Sequence, residues 1–143
     1  IFDELGDVKK YETTNENQTI DRLQNIDIAV TNKVIIHKHI INHTNLKLIQ
    51  VTATGMNNID LDYAKEKNII VKNVAKYSTN SVAQITFSMI FKILSKIDYF
   101  DNYGKNQWIN SDIFTHIVPF YELANKNFGI IGLGTIGKKV ASI

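Results

Sequence analysis

Six residues near the end of the chain carry the strongest chemical signal in the sequence. Gly132-Leu133-Gly134-Thr135-Ile136-Gly137 is a Gly-x-Gly-x-x-Gly motif. An apolar run at Asn127 to Ile131 precedes it and predicts a strand, and Lys138 to Ile143 predicts the start of a helix. In that context the first glycine permits a tight turn, the second lets a pyrophosphate approach the backbone, and the third packs helix against strand.

The motif therefore predicts a dinucleotide-binding loop, because a phosphate group can bind the backbone amides at the start of the helix. The predicted cofactor-binding residues are Gly132, Gly134, Thr135, Ile136 and Gly137. A glycine-rich turn without a ligand is the alternative interpretation. The acidic residue that would bind the ribose is expected about 20 positions further on, beyond Ile143, so the motif does not separate NAD from NADP.

Short β-branched runs and helical patterns alternate ahead of this motif. The sequence predicts strands at Val8 to Thr13, Ile26 to Thr31 (buried), Leu46 to Ala53 and Ile69 to Val74. Short helices are predicted at Thr19 to Asn25, with Asp21 in the first turn, at His37 to His43, and at Leu61 to Lys67, with Asp60 as N-cap. Such alternation is typical of a parallel sheet with crossover helices, and so of an α/β fold.

A long helix is predicted next, beginning near Ser81 and capped by Thr79 or Asn80. Its apolar residues occupy most of its circumference, so we expect it to be buried on several sides, either in a core or between two domains or subunits. Tyr99 to Ala124 lacks clear periodicity and is predicted to be irregular.

The composition is that of a globular protein of one domain or two small ones. Of 143 residues, 44% are hydrophobic, and 16 Lys+Arg against 14 Asp+Glu give a net charge of +2. The absence of Cys excludes disulfides, thiolate metal sites and a Cys nucleophile, and it fits a cytoplasmic protein. Dispersed lysines with a single arginine, Arg22, form no basic stripe, so we expect no nucleic-acid partner.

Neither a membrane span nor a signal peptide is predicted. Polar residues interrupt the most apolar stretch, Val82 to Leu94, well short of the roughly 20 residues that a bilayer requires. The chain begins with Ile1 rather than Met and stops at Ile143 inside a predicted helix, so we expect a fragment at both ends.

Four segments form an ordered set along the chain. They are TNK at Thr31 to Lys33, ATGMNNIDL at Ala53 to Leu61, NVAKYSTNSVAQ at Asn73 to Gln84, and ELANKNFGIIGLGTIGKKVA at Glu122 to Ala141. With Trp108 and the Ser111 to Phe114 region, this set resembles the D-isomer-specific 2-hydroxyacid dehydrogenases, and within them the glycerate dehydrogenase (hydroxypyruvate reductase) branch. Gln84 suits that branch, whereas Ser95-Lys96 departs from the family pattern, in which many relatives have an arginine.

The resemblance implies a two-domain enzyme. Residues 1–74 would form a flavodoxin-like substrate domain, with its first strand ahead of Ile1, and residues 75–143 would begin a Rossmann NAD(P)-binding domain. The long helix would help to form the hinge and the interface of a homodimer. NAD is the expected cofactor, with NADP not excluded, and a small 2-oxo or 2-hydroxy acid is the expected substrate.

The resemblance also assigns a substrate-binding loop. The backbone amides of Thr54, Gly55 and Met56 would hold the substrate carboxylate, and Thr54 would touch the cofactor side of the cleft as well. Lys33 follows another strand, where its ammonium group can attract an anionic 2-oxo acid. The alternatives are a plain turn glycine at Gly55 and a solvated surface charge at Lys33.

The family reaction needs an arginine to stabilise the oxyanion and a histidine, oriented by a glutamate, to transfer the proton. Neither Arg22 nor His37, His39, His43 or His116 matches these positions, so we predict no catalytic residue here. His39 and His43 have the spacing of a helical metal pair but no third ligand, so no metal site is predicted.

We therefore expect the parent protein to reduce hydroxypyruvate or glyoxylate, and the chain alone to be inactive. The alternatives are a dehydrogenase for another 2-hydroxy acid, such as D-lactate or phosphoglycerate, and a non-catalytic, dinucleotide-sensing protein of the corepressor type.

Overall fold

The computed structural model describes residues 2–112 and 118–143. They fall into two compact units, Ile1–Ala75 and Lys76–Ile143. The first unit contains helices α1 (Glu16–Leu23), α2 (Lys38–Asn42) and α3 (Leu61–Glu66), strands β1 (Ile28–Thr31), β2 (Leu48–Val51) and β3 (Ile70–Lys72), and a 3-10 turn at Phe2–Glu4. The second contains α4 (Thr79–Leu94), α5 (Ile97–Asn106), α6 (Thr135–Ala141) and a 3-10 turn at Trp108–Asn110.

The first unit is built on a parallel sheet in the order β1-β2-β3. Ile28 pairs with Leu48, which in turn pairs with Ile70, so the three strands start in register. Helices connect consecutive strands, as the alternation of patterns predicts. The predicted α/β class with a parallel sheet is confirmed.

The core of this unit lies on one face of the sheet. Ala29, Ile49 and Val51 point to that face and are buried against α2 and α3. The strand Ile26 to Thr31 is predicted to be buried. This prediction is wrong for the other face of the sheet, where Ile28 is 55% exposed. The reason is the period of two along a strand: a helix layer on one side covers only alternate residues.

Helix α1 begins earlier than its apolar pattern predicts. Asn15 caps it, accepting a hydrogen bond from the Gln18 N–H at 3.1 Å, while the Asn15 N–H donates to the Gln18 side chain at 3.2 Å. This reciprocal capping box fixes the helix start. The acidic residue in the first turn of the helix is therefore Glu16, and not Asp21 as predicted.

Asp60 caps α3 as predicted, since its carboxylate accepts a hydrogen bond from the Tyr63 N–H at 3.0 Å. We expect Asp60→Ala to lower the free energy of unfolding by about 1 kcal/mol, because the cap bond is lost. Asp62→Ala, in the first turn of the same helix, removes only a charge near the helix dipole and should cost about 0.3 kcal/mol. Urea unfolding followed by circular dichroism compares the two, and equal losses would contradict the capping role.

Two predicted strands make no ladder. Within the described residues, neither Val8 to Thr13 nor Asn127 to Ile131 pairs with a neighbouring strand. A strand is stabilised by hydrogen bonds to an adjacent strand, so a β-rich sequence alone does not produce one. Both segments are therefore non-helical connections in the structure, and both strand predictions are wrong here.

The long helix of the second unit starts at Thr79 rather than near Ser81, and neither Thr79 nor Asn80 caps it. Ser78 is the N-cap, without a side-chain hydrogen bond. The Thr79 hydroxyl instead donates to the Lys76 carbonyl at 3.0 Å. Lys76 has a φ of 65°, and this left-handed residue turns the chain into the helix.

Helix α4 is less buried than its apolar circumference predicts. It packs against α6 and α5, and Ala83 is its one fully buried residue in the part of the chain that the structure describes. Ile85, Met89 and Ile93 remain more than half exposed, because these two helices cover only part of the surface.

Helix α5 contains the first residues of Tyr99 to Ala124. The prediction that this whole segment is irregular is therefore wrong for its helical part.

Ile113 and Phe114, which belong to the resemblance, and His116 lie outside the described residues. In residues 2–112 and 118–143, no helix has the length and apolar character needed to cross a bilayer.

Candidate functional site

Three loops meet at the carboxyl end of the sheet in the first unit. The loop after β1 starts with Asn32, the loop after β2 with Thr52, and the segment after β3 with Asn73. Backbone hydrogen bonds join them: Thr52 N–H donates to the Thr31 carbonyl at 2.7 Å, and Val74 N–H donates to the Ala53 carbonyl at 3.1 Å. Ligands of parallel α/β sheets bind at this end.

The predicted substrate loop, Thr54 to Met56, lies at the centre of this edge. Among the described residues none accepts a hydrogen bond from the N–H groups of Thr54, Gly55 or Met56. Thr54 and Gly55 are exposed, while the Met56 side chain packs against the core and anchors the loop. Three successive unpaired donors at one edge of a sheet can bind an anionic oxygen.

Lys33 lies in the neighbouring loop, after β1. Its side chain is exposed and makes no ion pair with a carboxylate in the described part of the chain. The loop itself is fixed, since the Val34 N–H donates to the Thr31 hydroxyl at 3.3 Å. Lys33 thus contributes an uncompensated positive charge to this loop.

Two asparagines tie the loops together, and sequence reasoning missed their roles. The Asn58 side chain donates to the Val34 carbonyl at 2.8 Å, which joins the loop after β2 to the loop that carries Lys33. The Asn73 side chain donates to the Thr54 carbonyl at 2.7 Å. The sequence contains no specific signal for either role, because Asn73 lies within the predicted strand Ile69 to Val74 and Asn58 resembles an ordinary turn residue.

The glycine motif in the second unit has the backbone geometry that its spacing predicts. Gly132 has a φ of 93°, a left-handed conformation that only glycine adopts readily. A Cβ on Gly137 would lie 2.0 Å from the Gly132 carbonyl oxygen, so α6 approaches the preceding turn more closely than any side chain allows. The tight turn expected at the first glycine is present, and at the third glycine the helix packs closely against that turn rather than against a strand.

Gly134 is the N-cap of α6, and a Cβ built there would meet nothing within 4 Å. The N–H groups of Gly134, Thr135 and Ile136 donate to no acceptor in the described residues, as expected for the first turn of a helix. The loop thus offers backbone donors and open space in front of the second glycine. These features fit a bound pyrophosphate, although the individual contacts of Thr135, Ile136 and Thr54 with a cofactor stay predictions.

Arg22, His39 and His43 lie in contacts within the first unit. Arg22 stacks over the Tyr11 ring at 4.1 Å and donates to the Thr14 hydroxyl at 2.7 Å. The His43 Nδ1 lies 2.8 Å from the His39 carbonyl oxygen. No group of three potential metal ligands occurs in residues 2–112 and 118–143.

An exposed ion pair joins Lys47 and Asp27 at the other end of the sheet. A hydrogen bond and ion pair with Asp27, at 2.7 Å, raise the pKa of the Lys47 ammonium group. Both residues immediately precede their strands, at the amino end of the sheet. This pair therefore lies at the end of the sheet opposite the loops that follow the strands.

Residues 1–134 match the family model of the D-isomer specific 2-hydroxyacid dehydrogenase, catalytic domain. The chain belongs to this family. The resemblance of the sequence motifs to the 2-hydroxyacid dehydrogenases is thereby confirmed. The family comprises oxidoreductases that act on CH–OH donors, which is the enzyme class that the sequence predicts.

Individual relatives and solved structures are consistent with the family match. The glycerate dehydrogenase of Methylorubrum extorquens is 34% identical over 137 residues, which cover 93% of this chain and 44% of that protein. An acyclic imino acid reductase, solved with NADPH and D-Arg, superposes with a TM-score of 0.85 at 30% identity, over 99% of this chain and 46% of that one. The D-lactate dehydrogenase of Aquifex aeolicus, solved with NAD and lactic acid, has a TM-score of 0.73 at 30% identity, over 86% and 37%.

The chain thus spans less than half the length of these relatives. The two solved relatives hold different cofactors, NADPH in one and NAD in the other. A nicotinamide dinucleotide is therefore common to both.

Proposed function

We propose that the gene product containing this chain reduces hydroxypyruvate or glyoxylate, with a reduced nicotinamide dinucleotide, to D-glycerate or glycolate. The observation that carries the proposal is the row of three unpaired N–H groups at Thr54, Gly55 and Met56. It occurs in a chain whose family acts on 2-hydroxy acids and which is similar to a glycerate dehydrogenase.

In this proposal the substrate carboxylate accepts hydrogen bonds from the Thr54–Met56 loop. Backbone amides suit a small acid, because they add no side-chain bulk and fix both carboxylate oxygens in orientation. The exposed, unpaired Lys33 ammonium attracts the anion to the same edge of the sheet. Met56 contributes rigidity, since its side chain is packed against the core.

The cofactor loop is proposed to hold the pyrophosphate of NAD, or of NADP. Gly132 and Gly137 shape the turn, and the N–H groups of Gly134, Thr135 and Ile136 donate to the phosphate oxygens. The reduced nicotinamide supplies the hydride that adds to the carbonyl carbon. We further propose that the full gene product is a homodimer in the cytoplasm.

Proton transfer and oxyanion stabilisation are proposed to lie outside these 143 residues. The carbonyl oxygen must gain a proton as the hydride reaches carbon, and that step needs an acid beside the substrate. Arg22 and His43 are engaged in contacts of the first unit, away from the loops after the strands. This chain supplies the carboxylate-binding loop and the pyrophosphate loop.

Turnover tests the proposal directly. We expect the full gene product to oxidise NADH with hydroxypyruvate and glyoxylate, followed by absorbance, and the 143-residue chain to give no turnover above the rate without enzyme. Pyruvate and phosphohydroxypyruvate complete the substrate panel, and NADPH is run in parallel with NADH.

The Lys33→Ala variant tests the role of the lysine charge in the same assay. Loss of the charge that attracts the substrate should raise the KM for the acid about twofold to fivefold at low salt and less at high salt.

Each other pattern of turnover has a distinct meaning. Preference for pyruvate would move the substrate to D-lactate chemistry, as in the Aquifex relative. Silence on every acid with either cofactor, combined with measured NADH binding, would overturn the enzyme proposal in favour of a dinucleotide sensor. Turnover by the 143-residue chain alone would overturn the placement of the proton donor outside it.

A further inference from the structure

We propose that Asn73 is a positioning residue that aims the Gly55 N–H at the substrate carboxylate. The inference rests on the proposed function, because it assigns a task within the same loop. The observation behind it is the hydrogen bond from the Asn73 side chain to the Thr54 carbonyl, at 2.7 Å. This bond links two segments that lie 19 residues apart in the sequence.

Because a peptide group is planar, the hydrogen bond to the Thr54 carbonyl also fixes the direction of the Gly55 N–H. The Thr54 carbonyl and the Gly55 N–H belong to one planar, trans peptide group, in which the C=O and N–H vectors point in opposite directions. Asn73 holds the carbonyl on one side of that plane. The Gly55 N–H must therefore point to the other side, away from Asn73.

Gly55 makes such control necessary. Glycine has the widest choice of backbone conformations, so the peptide before it is not fixed by local sterics. The Gly55 and Met56 N–H groups have no acceptor in the described part of the chain that would orient them. The Asn73 hydrogen bond thus takes the place of the missing local constraint.

The Asn73 side chain is itself held in place by the backbone around it. Val74 N–H donates to the Ala53 carbonyl at 3.1 Å, and the Thr54 hydroxyl donates to the Val74 carbonyl at 3.2 Å. These bonds continue the β2 to β3 ladder beyond its last pair, Gln50 and Lys72. Residues 53–54 and 73–74 therefore form one clamp at the base of the loop.

An amide is the side chain that this position requires. It donates without carrying charge, and its bond to the carbonyl polarises the peptide group so that the Gly55 N–H becomes a better donor. A carboxylate of the same shape would have no proton to donate and would repel an anionic substrate. Asn73→Asp should accordingly be more harmful than Asn73→Ala.

Steady-state kinetics of the full gene product with hydroxypyruvate and NADH test the role. We expect Asn73→Ala to raise the KM for hydroxypyruvate about fivefold to tenfold, the effect of one lost orienting hydrogen bond, with the KM for NADH within twofold of wild type. Asn73→Asp should raise it further. Asn45→Ala is the matched control, because Asn45 is exposed, precedes β2 and so lies at the opposite end of the sheet, and it should leave all constants unchanged.

An unchanged KM for hydroxypyruvate in Asn73→Ala would overturn the proposal. A parallel rise in both KM values together with a lowered Tm would also overturn it, since that pattern indicates a merely structural role.

A second measurement separates failure of this inference from failure of the proposed function. Backbone ¹⁵N relaxation of the 143-residue chain should give the Gly55 N–H an order parameter near 0.85 in the wild type and below about 0.6 in Asn73→Ala. Equal order parameters would overturn the positioning role even in an active enzyme. Absence of turnover by the wild type would overturn the proposed function, while a lowered order parameter would still show that Asn73 orients the loop.

Discussion

Replacing Gly137 by Ala is expected to destabilise the glycine loop by about 3 kcal/mol and to abolish NADH binding, because the new methyl group collides with backbone. Its Cβ would lie 2.0 Å from the Gly132 carbonyl oxygen and 3.1 Å from the Gly132 carbonyl carbon. Neither atom belongs to a flexible side chain, so relief requires α6 to move away from the turn. Thermal unfolding and calorimetric titration of the full gene product with NADH measure the two effects.

Gly134→Ala is the matched control for this change, because the same methyl group meets nothing within 4 Å there. We expect its free energy of unfolding to stay within about 0.5 kcal/mol of wild type. NADH affinity should nevertheless fall at least about tenfold, since the second glycine lies where the pyrophosphate approaches the backbone. Equal stability losses in the two variants would contradict the packing argument, and full NADH binding by Gly134→Ala would contradict the location of the cofactor loop.

The glycine motif was predictable because each requirement in it is local. The left-handed φ of Gly132 and the contact of Gly137 with the Gly132 carbonyl both arise within six residues. The strand predicted just before them, Asn127 to Ile131, failed for the opposite reason. A ladder needs a neighbouring strand, and none of the described residues of the second unit provides one.

The same distinction applies to the substrate loop. The place of Thr54 to Met56 at the edge of the sheet followed from the end of a predicted strand, because parallel strands direct their loops to one edge, while their substrate-binding role came from the family resemblance. The tasks of Asn58 and Asn73 did not follow, since their hydrogen-bond partners lie 24 and 19 residues away. Nothing in the local sequence distinguishes such an asparagine from an ordinary turn residue.

Helix boundaries show how one polar contact can override a hydrophobic pattern. The apolar residues of α1 predicted a start near Thr19, but the capping box at Asn15 moves the start to Glu16. In α3 the cap and the pattern agree at Asp60, and the prediction is correct. A cap adjacent to an apolar run is therefore easier to identify than one that precedes it by a turn.

The stability of the sheet that carries the substrate loop depends more on Ile49, on the buried face, than on residues of the exposed face. Ile49 is 0% exposed at the centre of β2, between Ala29 of β1 and Val71 of β3. We expect Ile49→Ala to lower the free energy of unfolding of the 143-residue chain by about 3 to 4 kcal/mol, because it leaves a cavity where the strands and helices meet. Urea unfolding followed by circular dichroism gives this value.

Ile70→Ala makes the same chemical change on the opposite face of the sheet, where Ile70 is 55% exposed. Its cost should stay below about 1 kcal/mol, because the side chain has little contact to lose and leaves no closed cavity. Similar losses for the two variants would mean that the outer face is packed as tightly as the inner one. A large difference would instead show that the stability of this sheet comes from the face covered by α2 and α3, since only there does truncation of an isoleucine leave a closed cavity.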